Sequence, residues 1–124
     1  MKIRFYTFYS VNFYSISISF KKSKDVPDIL LLSLNGFLNS EISSSVLKEI
    51  LQRFTDDFNY IICSFEKYQY MATTGLGILS RIQIEAERRK GRLILTSITN
   101  PLLDMFELLG FDKMFNIESD NEEA

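Results

Sequence analysis

The sequence contains no histidine, one cysteine and two prolines in 124 residues. Without an imidazole there is no Ser/His/Asp or Cys/His catalysis, and the commonest zinc ligand is missing. A single thiol makes neither an internal disulfide nor a thiolate cage. Cys63 stands in the apolar run Tyr60-Ile61-Ile62-Cys63-Ser64-Phe65, which predicts a buried, unreactive side chain and a reducing compartment. No apolar stretch approaches the ~20 residues that span a bilayer. Lys2 and Arg4 are followed by alternating aromatic and polar residues rather than the continuous apolar core of a signal peptide. The chain is therefore expected to be cytoplasmic, with no direct membrane insertion. No Gly-rich phosphate loop and no patterned carboxylate pair is present, so the sequence predicts no enzyme, no catalytic residue, no cofactor and no metal site.

Charge excludes another class. The net charge of −2 is uneven: Glu118, Asp120, Glu122 and Glu123 supply four of the 16 acidic residues, leaving 12 acidic against 14 basic in the body. That slight excess is too small for a dedicated nucleic-acid binder. A hydrophobic content of 46% with 24% charged residues is that of one soluble globular domain able to bury its own core.

Residues 1–20 hold seven of the 17 aromatics, and Ser15-Ile16-Ser17-Ile18-Ser19-Phe20 alternates with the period of a half-buried strand. Ile3–Tyr9 is also strand-like, and Ser10-Val11-Asn12 either turns it back or interrupts one long ribbon. An extra aromatic strand at a sheet edge covers that edge or recruits a second subunit, and covering is favoured because exposed edges need protection. Residues 21–28, polar and carrying Pro27, predict a loop. Ile29–Leu34, ended by Asn35-Gly36, suits a central strand covered on both sides.

Asn39 and Ser40 both fit as a cap for an amphipathic helix of about three turns, buried through Ile42, Val46, Leu47, Ile50, Leu51 and Phe54. The strand over 60–65 is expected to run into a linker and then into Met71-Ala72-Thr73-Thr74-Gly75-Leu76-Gly77. A second helix follows, with Leu76, Ile78, Leu79, Ile82 and Ala86 inward and Gly91 ending it in the left-handed conformation. Arg88, Arg89 and Lys90 suit its C-terminal dipole. Leu93–Thr96 reads as a strand. Asn100-Pro101 opens a third helix with a cap and a proline at its first position, buried through Leu102, Leu103, Met105, Phe106 and Leu109 and stopped by Gly110. A last short strand over 113–117 precedes the acidic tail. Strands alternating with helices predict a single α/β domain: a mixed, mainly parallel sheet of about 4–5 strands, with the extra N-terminal strand antiparallel at one side.

The Thr-Thr-Gly junction lies where a strand end feeds a helix start. Unpaired N–H groups and the positive end of the helix dipole would meet a phosphate on Thr73 or Thr74, whereas an unmodified threonine would simply cap the helix.

Three stretches resemble the STAS domains, and specifically the small stand-alone anti-sigma factor antagonists of bacteria. Gly36-Phe37-Leu38-Asn39 is similar to a Gly-x-Leu-Asp turn, Met71–Gly77 to a Met-Asp-Ser-Ser-Gly-Leu-Gly junction, and Thr99-Asn100-Pro101 through Leu109-Gly110 to a Ser-Pro-type last helix. The resemblance covers roughly residues 13–117, leaving 1–12 as an N-terminal extension and 118–124 as an acidic tail. It implies a switch protein that binds an anti-sigma factor, itself a Ser/Thr kinase of the histidine-kinase-like ATPase fold, and so releases a sigma factor. Phosphorylation by that kinase ends the binding, and a metal-dependent Ser/Thr phosphatase restores it. Carried over by position, the acceptor is Thr73, ahead of Thr74, and the docking surface comprises Asn39, Ser40, Thr73, Thr74, Gly75 and Leu76. Ala72 and Asn39 depart from the pattern, each replacing an Asp. The alternative within the same fold is an accessory subunit of a lipid-transport ABC ATPase, or a constitutive interaction module.

Overall fold

The computed structural model describes residues 3–26, 28–54, 58–71 and 73–118, with 69–71, 73 and 74 described by their backbone alone. Pro27, Ala72 and the tail beyond Glu118 lie outside the described residues. Six strands form one sheet in sequential order: β1 (Phe5–Asn12), β2 (Ile16–Ser23), β3 (Ile29–Leu38), β4 (Tyr60–Met71), β5 (Arg92–Thr96) and β6 (Asn116–Glu118). β1, β2 and β3 are antiparallel to their neighbours in turn, and β3, β4, β5 and β6 are parallel. Helices α1 (Ser43–Gln52), α2 (Thr73–Arg88) and α3 (Asn100–Leu109) connect the parallel strands.

All three helices cover one face of the sheet. Leu30, Leu32 and Leu34 of β3, Ile61, Cys63 and Phe65 of β4, and Leu93 and Leu95 of β5 point toward it and meet Val46 and Ile50 of α1, Leu79 and Ile82 of α2, and Phe106 of α3. Among the described residues the opposite face carries a small second cluster, Ile29, Leu31, Ile62 and Ile94, on which Ile3, Phe5 and Val26 rest. The period-two alternation of β2 thus sends Ile16, Ile18 and Phe20 into the core and Ser17 and Ser19 to the open side.

The six strands are the expected mixed sheet with its extra N-terminal strand and its short last strand, and two details differ in position. The N-terminal aromatics make a hairpin, whose turn falls at Phe13–Ser15 and closes through the Phe13 N–H on the Ile16 carbonyl (2.7 Å), rather than at Ser10–Asn12. Asn116–Glu118 then adds a parallel edge strand after a short 3-10 turn over Phe111–Lys113. β1 is itself the sheet edge next to β2, so it covers β2 as expected of an extra strand.

Glycine explains two further differences. β3 does not stop at Asn35-Gly36 but continues to Leu38, because Gly36 (φ +124°) lets the hairpin turn close on it: a Cβ there would lie 2.2 Å from the Ser15 carbonyl oxygen. α2 ends with Lys90, not Gly91, in the left-handed conformation (φ 65°). Gly91 serves instead for close approach, since a Cβ would stand 1.5 Å from the Asn59 carbonyl oxygen. Arg88 and Arg89, assigned from the sequence to the helix dipole, both clasp Glu85 (2.6 and 3.1 Å). In α3 the cap position is Thr99, without a side-chain bond, and Pro101 follows Asn100 as the second helical residue. Leu102 and Phe106 bury the helix, but Leu109 stays 46% exposed because the chain turns away at Gly110 (φ 79°).

Candidate docking and modification site

No linker separates the strand over 60–65 from the Thr-Thr-Gly junction. β4 runs on to Met71, accommodated by irregularities in its ladder with β3 between Ser33 and Asn35 and between Gly36 and Leu38. The consequence is positional. Leu38 and Met71 end as register partners on adjacent parallel strands, about 4.8 Å apart in the hydrogen-bonding direction. The chain after Leu38 and the chain after Met71 therefore leave the sheet side by side, each toward a helix.

On the β3 side the exit is locked by side chains. The Asn39 carboxamide oxygen accepts the N–H groups of Glu41 (3.0 Å) and Ile42 (3.1 Å), and Ser43 Oγ donates to the Ser40 carbonyl (3.1 Å). This is an Asx turn one step upstream of the helix: the cap residue itself is Ile42, in helical conformation and without a side-chain bond. Asn39 thus organises the approach to α1 rather than capping it, and Ser40 is exposed. Tyr68 adds a tie that sequence patterning did not reveal. Its hydroxyl accepts the Leu38 N–H (3.1 Å) where the ladder shifts register, and its ring stands edge-on to Phe65.

On the β4 side, α2 begins at Thr73, so Thr73 and Thr74 occupy the first turn, where N–H groups have no intrahelical acceptor. Gly75 and Leu76 are buried, Leu76 to 3% exposure, and seat this turn on the core. Their contribution is to fix the position of α2, while Ser40 lies outside. α1 and α2 pack against each other, which brings both helix starts to one end of the sheet. α3 belongs to a different level: β5 ends at Thr96, opposite Ser64, well short of Met71 along the register.

Burial pushes the Cys63 thiol up to about 12, so it remains protonated and inert. Among the described residues no group of three or more His, Cys, Asp or Glu side chains is placed to hold a metal ion. Among them, too, no helix is long and apolar enough to cross a membrane.

This architecture has solved counterparts. An anti-sigma factor antagonist candidate from Thermotoga maritima superposes with a TM-score of 0.77 at 20% identity, over 86% of this chain and 90% of that one. An anti-sigma factor antagonist from Mycobacterium paratuberculosis gives 0.75 at 15% identity, over 88% and 90%. The Bacillus cell fate determinant SpoIIAA in its phosphorylated form gives 0.62 at 21% identity, over 84% and 95%. At these identities the likeness is one of fold: the six-stranded mixed sheet with three helices is that of the anti-sigma factor antagonists. The sequence model of the STAS domain matches residues 20–124, nearly the whole chain from β2 onward. The chain belongs to the STAS domain family.

Proposed function

We propose that this protein is a cytoplasmic anti-sigma factor antagonist without catalytic activity of its own, switched by phosphorylation of Thr73. One observation carries this: the exits of β3 and β4 emerge side by side, with Thr73 opening α2 next to the Asx turn of Asn39. The docking surface is the end of the sheet bearing Asn39, Ser40, Thr73 and Thr74, on a base set by buried Gly75 and Leu76. Its partner is an anti-sigma factor Ser/Thr kinase, and a Ser/Thr phosphatase reverses the modification. A phosphate adds about −1.5 to −2 charge at such a surface and opposes docking by repulsion and desolvation. Solved structures of SpoIIAA in both unphosphorylated and phosphorylated forms, sharing this fold, support the assignment. In this proposal residues 13–117 form the switch domain, 1–12 its additional edge strand and 118–124 an acidic tail.

Asn39 in place of Asp is compatible with this surface, since the same oxygen would accept the Glu41 and Ile42 amides in either residue. The test is affinity capture from native lysate with wild type, Thr73→Ala and Thr73→Glu, identifying bound proteins and modified residues by mass spectrometry. The expected outcome is an anti-sigma factor kinase held by wild type and Thr73→Ala and lost with Thr73→Glu. Equal retention of one partner by all three would overturn the switch. If that partner were an ABC ATPase of lipid transport, it would assign the chain as an accessory subunit.

A further inference from the structure

The uncovered face of the sheet is divided. Ile3, Phe5 and Val26 rest on its apolar half, and the other half is crossed by a single register row in which every strand contributes a polar side chain: Ser10, Ser19, Ser33, Ser64, Thr96 and Glu118. Over β2, β3 and β4 this row forms the floor of a trough of about 270 Å³. Lys21 and Lys67 line it from opposite sides of the row, in register with Leu31 and Asn35 of β3 respectively. Those two β3 positions lie four residues apart, about 13 Å along the strand, so two long side chains reach the hydroxyls between them.

Neither ammonium has an ion-pair or hydrogen-bond partner among the described residues, and the Ser17 and Ser33 hydroxyls have none either. Four arginines are paired, Arg4 on Asp25, Arg53 on Glu49, and Arg88 and Arg89 on Glu85; Lys21 and Lys67 differ from the other lysines in flanking one row of hydroxyls in a shared trough. The apolar half of this face carries aliphatic residues, whereas this half sets a row of hydroxyls between two cations, which offers hydrogen-bond donors and positive charge to one ligand.

We propose that this trough binds a small oxyanion, a phosphate either free or carried on a small polar molecule. Hydroxyls at Ser19, Ser33 and Ser64 donate to the anion oxygens, and Lys21 and Lys67 close on it from either side. Glu66, which faces the same side as Lys67 through the irregularity in β4, stands at the rim and limits the charge the trough accepts. The site lies on the face opposite the helices and is independent of the Thr73 junction and of the function proposed for it.

The test is titration of the full chain with inorganic phosphate at ionic strength held constant with chloride, followed by backbone amide NMR shifts. A saturable isotherm is expected, with shifts centred on Ser19, Ser33, Ser64 and Lys67. The double variant Lys21→Gln/Lys67→Gln is expected to bind about tenfold more weakly or worse with an unchanged melting temperature, and Glu66→Gln to bind more tightly. Glycerol phosphate binding about tenfold more tightly than phosphate would identify a phosphoester as the ligand, and equal affinity would identify phosphate itself. Shifts that rise without saturation, that chloride reproduces, or that persist unchanged in the double variant would overturn the proposal.

Discussion

The Tyr68 hydroxyl accepts the backbone N–H of Leu38 at 3.1 Å inside the core, joining the last residue of β3 to β4 where their ladder is out of step. The bond fixes the residue immediately before the Asx turn of Asn39. Tyr68→Phe keeps the ring and its edge contact with Phe65 but leaves a buried amide without that acceptor. Such a loss costs about 1–3 kcal/mol. Urea denaturation is expected to show that decrease, and hydrogen exchange to show the Leu38 amide losing protection ahead of its neighbours in β3. A variant as stable as wild type would mean that water or a shifted backbone replaces the phenol.

Asn39 offers a sharper comparison, because the question there is which atom matters. Its carboxamide oxygen meets two amides, those of Glu41 and Ile42, while its NH2 group is not needed for the turn. Asn39→Ala removes both acceptors and is expected to cost about 1 kcal/mol, by analogy with the loss of a capping side chain. Asn39→Asp retains them and places a negative charge beside the N-terminus of α1, which has no acidic residue in its first turn. Thermal melts at pH 7 should therefore rank Asp at or above wild type and Ala below it.

Glu85 makes a prediction about acid. The guanidinium groups of Arg88 and Arg89, both hydrogen-bonded to its carboxylate, hold its pKa down from 4.5 to about 2. A carboxylate depressed on folding stabilises the native state above its unfolded pKa, and that contribution disappears as pH falls toward the folded value. Wild type and Glu85→Gln should therefore differ in urea midpoint at pH 7, with Gln lower. The gap should shrink below pH 4.5 and close near pH 2. The difference will be small, because these are surface pairs in water. A gap independent of pH would show that Glu85 acts through packing.

The fold was largely legible because its signals are periodic. Ile16, Ile18 and Phe20 alternate with serines, and Leu79, Ile82 and Ala86 recur at helical spacing, and each set is buried as its period requires. Boundaries set by non-local contacts were not legible. Asn35-Gly36 carries a turn signal, yet Gly36 lies within a strand because Ser15, 21 residues earlier, closes on it. Residues 66–70 look like a linker because Glu66 and Lys67 are consecutive exposed polar residues, which a register irregularity tolerates inside a strand. Near the junction, the role of Tyr68 was invisible: a tyrosine among Glu66, Lys67 and Gln69 does not say which amide its hydroxyl will meet. The serines of the open face were equally legible as alternation and illegible as a row, since only the register brings six strands' residues into line.

Three glycines, Gly36, Gly91 and Gly110, should separate by mechanism. Gly110 has φ 79° with nothing within 4 Å of a Cβ, so Gly110→Ala meets only the cost of holding an L-residue in the left-handed region, about 1 kcal/mol. Gly91 is the reverse case: its φ is ordinary, but a Cβ would overlap the Asn59 carbonyl carbon and oxygen at 2.4 and 1.5 Å. That carbonyl accepts the Arg92 N–H (3.1 Å) at the start of β5, so it cannot withdraw without opening the strand. Gly36 combines both penalties, with φ +124° and a Cβ that would lie 2.2 Å from the Ser15 oxygen. Urea denaturation of the three alanine variants should therefore place Gly110→Ala near wild type, with Gly91→Ala and Gly36→Ala each losing upwards of about 3 kcal/mol or failing to fold. If Gly91→Ala proved as mild as Gly110→Ala, the β4–β5 connection would be loose enough to move, and the close approach at Asn59 would not be what holds the end of α2 against the sheet.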